Sequence, residues 1–153
     1  MIPVIEKAQS GDLEEILRLQ YLAYQSEARL FDDPDIPPLR QTLDELIEEF
    51  NGGIILKASD EYGKIIGSVR ARCENGTVHI GRLMVHPDRQ RQGLGSLLLS
   101  AMEREFPGKR YELFTSTRSV GNIRLYERLG YRAFREEPIT DQLCFVYLEK
   151  NNE

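Results

Sequence analysis

Three apolar segments, Ile54 to Ser59, Lys64 to Cys73 and Thr77 to Val85, follow one another with only short turns between them. The breaks at 60–63 and at Glu74-Asn75-Gly76 are made of turn residues, and an Asn-Gly pair between apolar runs predicts a hairpin. This run therefore folds as hairpin-connected strands, and everything else must pack around it. Ahead of it, Pro3 to Lys7 reads as a short strand. Gly11-Asp12 opens a helix with Asp12 as N-cap and Glu15 in capping-box spacing, and Leu13, Ile16, Leu17, Gln20 and Tyr24 form its apolar face. The prolines between Phe31 and Leu39 predict a loop. Thr42 and Glu45 form a second capping box, with Leu43, Leu46, Ile47 and Phe50 lining the helix that Gly52-Gly53 ends. Behind the hairpins come a helix over about 93–106, a strand at Tyr111 to Thr115 and a helix from Ser119 to Leu129 closed by Gly130. Strands at Tyr131 to Glu136 and Leu143 to Glu149 complete the pattern. With no internal repeat or linker, the expectation is one α/β domain over residues 1–153.

Composition excludes several classes. A chain of 153 residues that is 41% hydrophobic and 29% charged is ordinary for a globular domain. Cys73 and Cys144 are isolated, and with only His79 and His86 beside them no zinc-type spacing exists. Two free thiols suit a reducing, cytoplasmic setting. The net charge of −5 argues against nucleic acid as partner. No apolar run approaches the roughly 20 residues of a membrane helix, so no membrane partner is expected. The start at Met1 lacks the basic and apolar pattern of a secretion signal.

The third helix begins unlike the first two. Those carry acids in their first turns, which complement the positive end of the helix dipole. The third opens with Gln90-Arg91-Gln92-Gly93-Leu94-Gly95-Ser96 and has no acid before Glu103. Three arginines stand against one aspartate between Arg82 and Ser96. Cations at a positive dipole end call for an anion, and Gly93 and Gly95 clear the way to the backbone amides. A P-loop lacks its Gly-Lys-Ser/Thr here. The dinucleotide fingerprint fails where Leu98 replaces a small residue.

The stretch Leu83-Met84-Val85-His86-Pro87-Asp88-Arg89-Gln90-Arg91-Gln92-Gly93-Leu94-Gly95 resembles the strand–loop–helix signature of the GNAT superfamily of N-acetyltransferases. Leu125-Tyr126-Glu127-Arg128-Leu129-Gly130-Tyr131 is similar to that family's second motif. The resemblance implies a mixed, mostly antiparallel α/β sheet of about seven strands flanked by about four helices, with splayed central strands forming a cleft for acetyl-CoA. It also implies that the backbone of Leu83, Met84 and Val85 pairs with the pantetheine arm. Gln90, Arg91, Gln92, Gly93, Leu94, Gly95 and Ser96 would hold the pyrophosphate, with Arg89 either reaching a phosphate or lying on the surface.

By the same resemblance Tyr126 is the general acid for the departing thiolate, or else a packing aromatic. His79, near the position where some relatives place a glutamate, is the candidate base. If positions 79, 81, 83 and 85 share one strand face, His79 is aimed along the cleft; other relatives deprotonate through water. The family's usual asparagine is Ser119 here, so Ser119 either caps the helix or shares with Asn122 the question of which replaces the CoA contact. The implied activity is acetyl transfer from acetyl-CoA to a primary amine of a small molecule or exposed protein, by direct attack in a ternary complex. The alternative is a non-catalytic acyl-CoA-binding module. Dimers are frequent in the family, which leaves a homodimer open. Glu27, Asp32, Asp33 and Asp35 form an acidic group that either attracts a cationic acceptor or is a solvated loop.

Overall fold

The computed structural model describes residues 3–151; Met1 and Ile2, part of the stretch read above for a secretion signal, lie outside the described residues. The strands are β1 (Val4–Lys7), β2 (Ile54–Ser59), β3 (Ile65–Glu74), β4 (Thr77–Val85), β5 (Arg110–Ser116), β6 (Arg132–Pro138) and β7 (Cys144–Asn151). They form one sheet in the order β1-β2-β3-β4-β5-β7-β6, antiparallel except for the parallel pair β4–β5. Among the described residues the α-helices are α1 (Leu13–Ala23), α2 (Gln25–Leu30), α3 (Pro37–Arg40), α4 (Leu43–Gly52), α5 (Leu94–Glu105) and α6 (Val120–Arg128). None is long and apolar enough to cross a membrane.

The strand pattern follows the sequence closely, and the helices exceed expectation by two. The first helical run breaks at Tyr24 and resumes as α2. The proline-rich loop contains α3, because Pro37 stands in its first turn, where the missing N–H costs nothing and φ is already near helical. The first expected capping box also changes partners. Asp12 closes a 3₁₀ turn by accepting from the Gln9 amide at 2.8 Å and pairs with Lys57. Glu15 accepts from the Ile65 amide at 2.8 Å and so ties α1 to β3. The Thr42–Glu45 box forms as expected, with the Glu45 amide donating to Thr42 Oγ1 at 3.2 Å and the Thr42 amide to Glu45 Oε1 at 2.9 Å.

Two cores sit on the two sheet faces. On one, Leu94, Leu98, Leu99 and Met102 of α5 pack against Val69 and Ala71 of β3, Val78 and Ile80 of β4, and Tyr111 of β5. On the other, Leu13, Ile16, Leu17 and Leu19 of α1 and Leu46 of α4 cover Ile55, Ile65 and Met84. Burial of such side chains is worth about 1.5–3 kcal/mol each, so the two layers hold the sheet rigid between them.

The second layer contains one buried cation. The Arg70 guanidinium donates from Nη1 to Gln41 Oε1 (2.9 Å) and Glu49 Oε2 (2.8 Å), and from Nη2 to Gln20 Oε1. Gln20 Nε2 in turn donates to the Pro38 carbonyl at 2.7 Å. One side chain thus binds α1, the α3 segment and α4 to β3. Replacing it leaves the fully buried Gln20 oxygen without a donor. We expect Arg70→Met to cost about 1–3 kcal/mol in urea unfolding. A loss below about 0.5 kcal/mol would show that the network contributes no net stability.

Candidate active site

The β4–β5 pair is in register only from Thr77/Arg110 to His79/Glu112. Beyond that point each strand stays bound to its other neighbour. β4 continues on β3 to Val85, and β5 stays paired with β7 through Ser116. The two strands therefore part, and the backbone of Leu83–Val85 faces the opening along the edge that β5 has left. Met84 and Leu94 have buried side chains, so what they offer a ligand is backbone.

A bulge lies beside this opening. Ser68 faces Met84 and Arg70 faces Gly81, which leaves Val69 opposite both Arg82 and Leu83. Arg82 takes the extra place at φ 50°, a conformation uncommon for a side-chain-bearing residue. Its side chain turns toward α1 and α2, while Leu83 and Val85 pack on the α5 side.

Four polar side chains meet there. Tyr126 of α6 is buried in the α5-side core, yet its hydroxyl feels Tyr24 and Glu27 from the opposite layer. The phenol thus lies near enough to the β4–β5 gap for groups of the opposite layer to act on it. Burial, reinforced by Tyr24 and Glu27, holds its pKa well above that of a free phenol, so it is a neutral donor. Tyr24 is pushed up to about 12, chiefly by burial, with the Arg82 and Arg70 guanidiniums opposing. Glu27 is raised by burial against the opposing effects of Ser119 and Arg82. Its Oε1 accepts from Ser119 Oγ at 3.3 Å. Arg82 Nε is buried without a hydrogen-bond partner.

The start of α5 has the character the sequence suggested. Arg91 (φ 64°) and Gly93 (φ 79°) are both left-handed, no side chain caps the helix, and its first turn holds no acid. Consecutive amides in such a turn converge on an anion-sized hollow. Gln90, Arg91 and Gln92 are exposed around it, and Ser96 is half-buried.

Several expected residues take other places. His79 stands where β4 and β5 are still paired, its Nδ1 3.6 Å from Glu112 Oε2. The bulge breaks the alternation, so His79 does not share a face with Leu83 and Val85. Ser119 gives no side-chain cap to α6 and bonds Glu27 instead. Asn122 donates to Thr115 Oγ1 at 3.4 Å, linking α6 to β5. Arg89 pairs with Asp60 at 3.3 Å. Gly95 serves helix contact: a Cβ there would lie 3.2 Å from Leu125 Cδ2. Asp32, Asp33 and Asp35 are exposed, and Asp33 Oδ1 accepts from the Asp35 amide at 2.9 Å, an ordinary solvated turn. Arg82 and Tyr24 were not singled out from sequence; Gly81 inside a strand pattern was the available sign of a bulge.

Residues 51–133 match the family model of the acetyltransferase (GNAT) domain. The fold is similar to that of the ribosomal-protein-S18-alanine N-acetyltransferase from Escherichia coli, with a TM-score of 0.81, 19% identity, and 99% of this chain and 95% of that one covered. It is also similar to the PaiA N-acetyltransferase from Thermoplasma acidophilum in complex with coenzyme A, with a TM-score of 0.80, 16% identity and 99% of each chain covered. A curated relative, UPF0157 protein YqkA of Bacillus subtilis (strain 168), is 26% identical over 136 residues, 86% of this chain. This chain spans 38% of that relative's length.

A raised carboxyl pKa in the native state means that the folded protein loses stability as pH rises and Glu27 ionises. Glu27→Gln removes that ionisation. Its melting temperature should match or exceed the parent's at pH 7.5, and the difference should shrink as pH falls toward the ordinary carboxylate range. A variant melting lower at pH 7.5 and equally lower at pH 4 would show that Glu27 is not held at an ionisation cost.

Proposed function

The chain belongs to the GNAT acetyltransferase family, and from that membership we propose an N-acetyltransferase in which a primary amine attacks acetyl-CoA directly in a ternary complex. The observation that carries this is the parting of β4 and β5 beside the buried Tyr126, with the uncapped, acid-free start of α5 on one side of the sheet and Tyr24 and Glu27 on the other. Acetyl-CoA is the co-substrate. Its pyrophosphate sits on the amides of Arg91–Ser96, with Gln90, Arg91 and Gln92 around it, and its pantetheine arm runs along the open edge of Leu83–Val85. Asn122 and Ser119 are committed to Thr115 and Glu27, so the family's usual asparagine contact has no direct substitute among these bonds.

The chemistry needs little of the protein. A neutral amine nitrogen bonds to the acetyl carbon, the C–S bond breaks, and the electron pair leaves on sulfur. Tyr126 gives its hydroxyl proton to that sulfur and recovers one from the new amide nitrogen. Its raised pKa is no obstacle, because a thiolate forming in the same dry gap is raised by the same desolvation. His79, committed to Glu112 at the paired end, takes no direct part in this sequence.

The acceptor is a primary amine of a small molecule or exposed peptide, admitted from the α1–α2 side. One domain acting in the cytoplasm fits the two free thiols Cys73 and Cys144. A homodimer agrees with the family's habit. The rival, a non-catalytic acyl-CoA-binding module, draws on Ser119 standing in place of the family's asparagine.

Thiol release from acetyl-CoA with a panel of amines separates the two, since a binding module releases none. On the best amine, Tyr126→Phe keeps the buried ring and deletes only the hydroxyl. We expect kcat to fall about 100- to 10,000-fold with acetyl-CoA affinity nearly unchanged. A near-normal kcat with a lowered melting temperature would make Tyr126 a packing residue.

A further inference from the structure

Arg70 and Arg82 are neighbouring guanidiniums on the α1 side of the sheet: Arg70 is buried and Arg82 half-buried, and the Nε of each is buried without a partner. Arg70 has Glu49, Gln20 and Gln41 on its nitrogens. Arg82 lies against the Tyr24 hydroxyl, senses Glu27, and has a buried Nε with no acceptor. A buried donor left unpaired is costly, and a guanidinium edge matches a carboxylate through two parallel bonds. Glu27 lies close enough to Arg82 for each charge to be felt, yet they form no ion pair within 4.0 Å, and the bond Glu27 does make is to Ser119. The α1–α2 side of the opening therefore holds one carboxyl and one guanidinium apart, with Glu27 near enough to act on the Tyr126 hydroxyl and Arg82 against Tyr24. The backbone strain at Arg82 is what aims it there.

We propose that Glu27 and Arg82 select a zwitterionic acceptor, a free amino acid or close analogue, with Arg82 taking its carboxylate and Glu27 its ammonium. This rests on the acetyl-transfer reading and names the substrate class of that site. A single such molecule bridges the two charges with charge-assisted bonds of about 2.8 Å, its carboxylate meeting the guanidinium at its terminal nitrogens. Glu27 in its carboxylate form also takes one proton from the ammonium and later gives it up to solvent, which leaves the neutral amine to attack the acetyl carbon. Arg82 is then a specificity-determining residue rather than a catalytic one. A wholly cationic acceptor, such as a polyamine, would meet the guanidinium and be repelled.

The test compares the free amino acids with their carboxamides and their decarboxylated amines. It reads binding by calorimetry in the presence of CoA, and kcat/KM by thiol release from acetyl-CoA. The expected result is a preference for the best amino acid over its carboxamide and decarboxylated amine of about 10- to 100-fold. Arg82→Gln should bring that ratio close to one, and Arg82→Lys, which keeps the charge and loses the fork, should retain part of it. Retained CoA binding and melting temperature show that each variant is folded. Equal use of all three classes by the parent protein would overturn the pair while leaving acetyl transfer intact, as would a ratio unmoved by Arg82→Gln. Binding of an amino acid that depends on Arg82, without thiol release, would support the pair and defeat the transferase reading. Neither binding nor turnover of any amino acid would overturn the proposal.

Discussion

With Val69 of β3 facing both Arg82 and Leu83, β4 carries one residue more than its partner, and its side chains change sides at that point. Before it, Val78 and Ile80 face the α5 core; after it, Leu83 and Val85 do, and Met84 turns to the α1 layer. Continued alternation would have driven the Arg82 guanidinium into the apolar core beside Leu98 and left Leu83 and Val85 facing the other way. A charge buried there without partners is far more costly than one residue in a left-handed conformation. The bulge is thus what lets β4 serve two purposes. Its first half closes the core and pairs with β5, and its second half borders an opening with a cation on one face and free backbone on its edge.

That opening concentrates ionisable groups in a place with little water. Arg70 is kept charged despite its burial by Glu49, against the like charge of Arg82. Tyr24, Glu27 and Tyr126 are all displaced toward their neutral forms by desolvation. Structural need accounts for Arg70, which fastens three segments to the sheet. It does not account for Glu27, raised by burial, or for Arg82, whose Nε has no partner. Shifted and unpaired groups gathered in one cleft often mark a working site. The break between α1 and α2 belongs to the same arrangement. It falls at Tyr24, where the helix face predicted from sequence stops following the core and brings Tyr24 and Glu27 to the opening.

The sheet and the uncapped, acid-free start of α5 were legible in the sequence because each depends on local chemistry. Asn75-Gly76 makes a hairpin wherever it stands, and a helix start with glycines, arginines and no acid declares its preference without tertiary help. Nothing in the spacing of Leu125, Tyr126 and Leu129 tells a proton donor from a packing ring, so the role expected of Tyr126 came from family resemblance alone. What could not be read were the contacts between distant segments. Ser119 and Glu27 lie 92 residues apart in the chain, and only the fold brings them to 3.3 Å. Asp12 shows the opposite error: its spacing to Glu15 fits a capping box, but Lys57 and the Ile65 amide compete for the two carboxylates and win. His79 was misaimed for a related reason, because period-two reasoning fails across an inserted residue.

Helix contact also ties the start of α5 to the segment that carries Tyr126. Gly95 sits in the first turn of α5, and a Cβ there would press on Leu125, the residue before Tyr126. The two helices therefore touch where one presents its amides and the other its hydroxyl. A cofactor with a phosphate at one end and a thioester at the other must span a set length, so a rigid separation between turn and phenol selects it as effectively as any single hydrogen bond. A bulkier side chain at Gly95 would press on Leu125 and so on the segment that carries Tyr126.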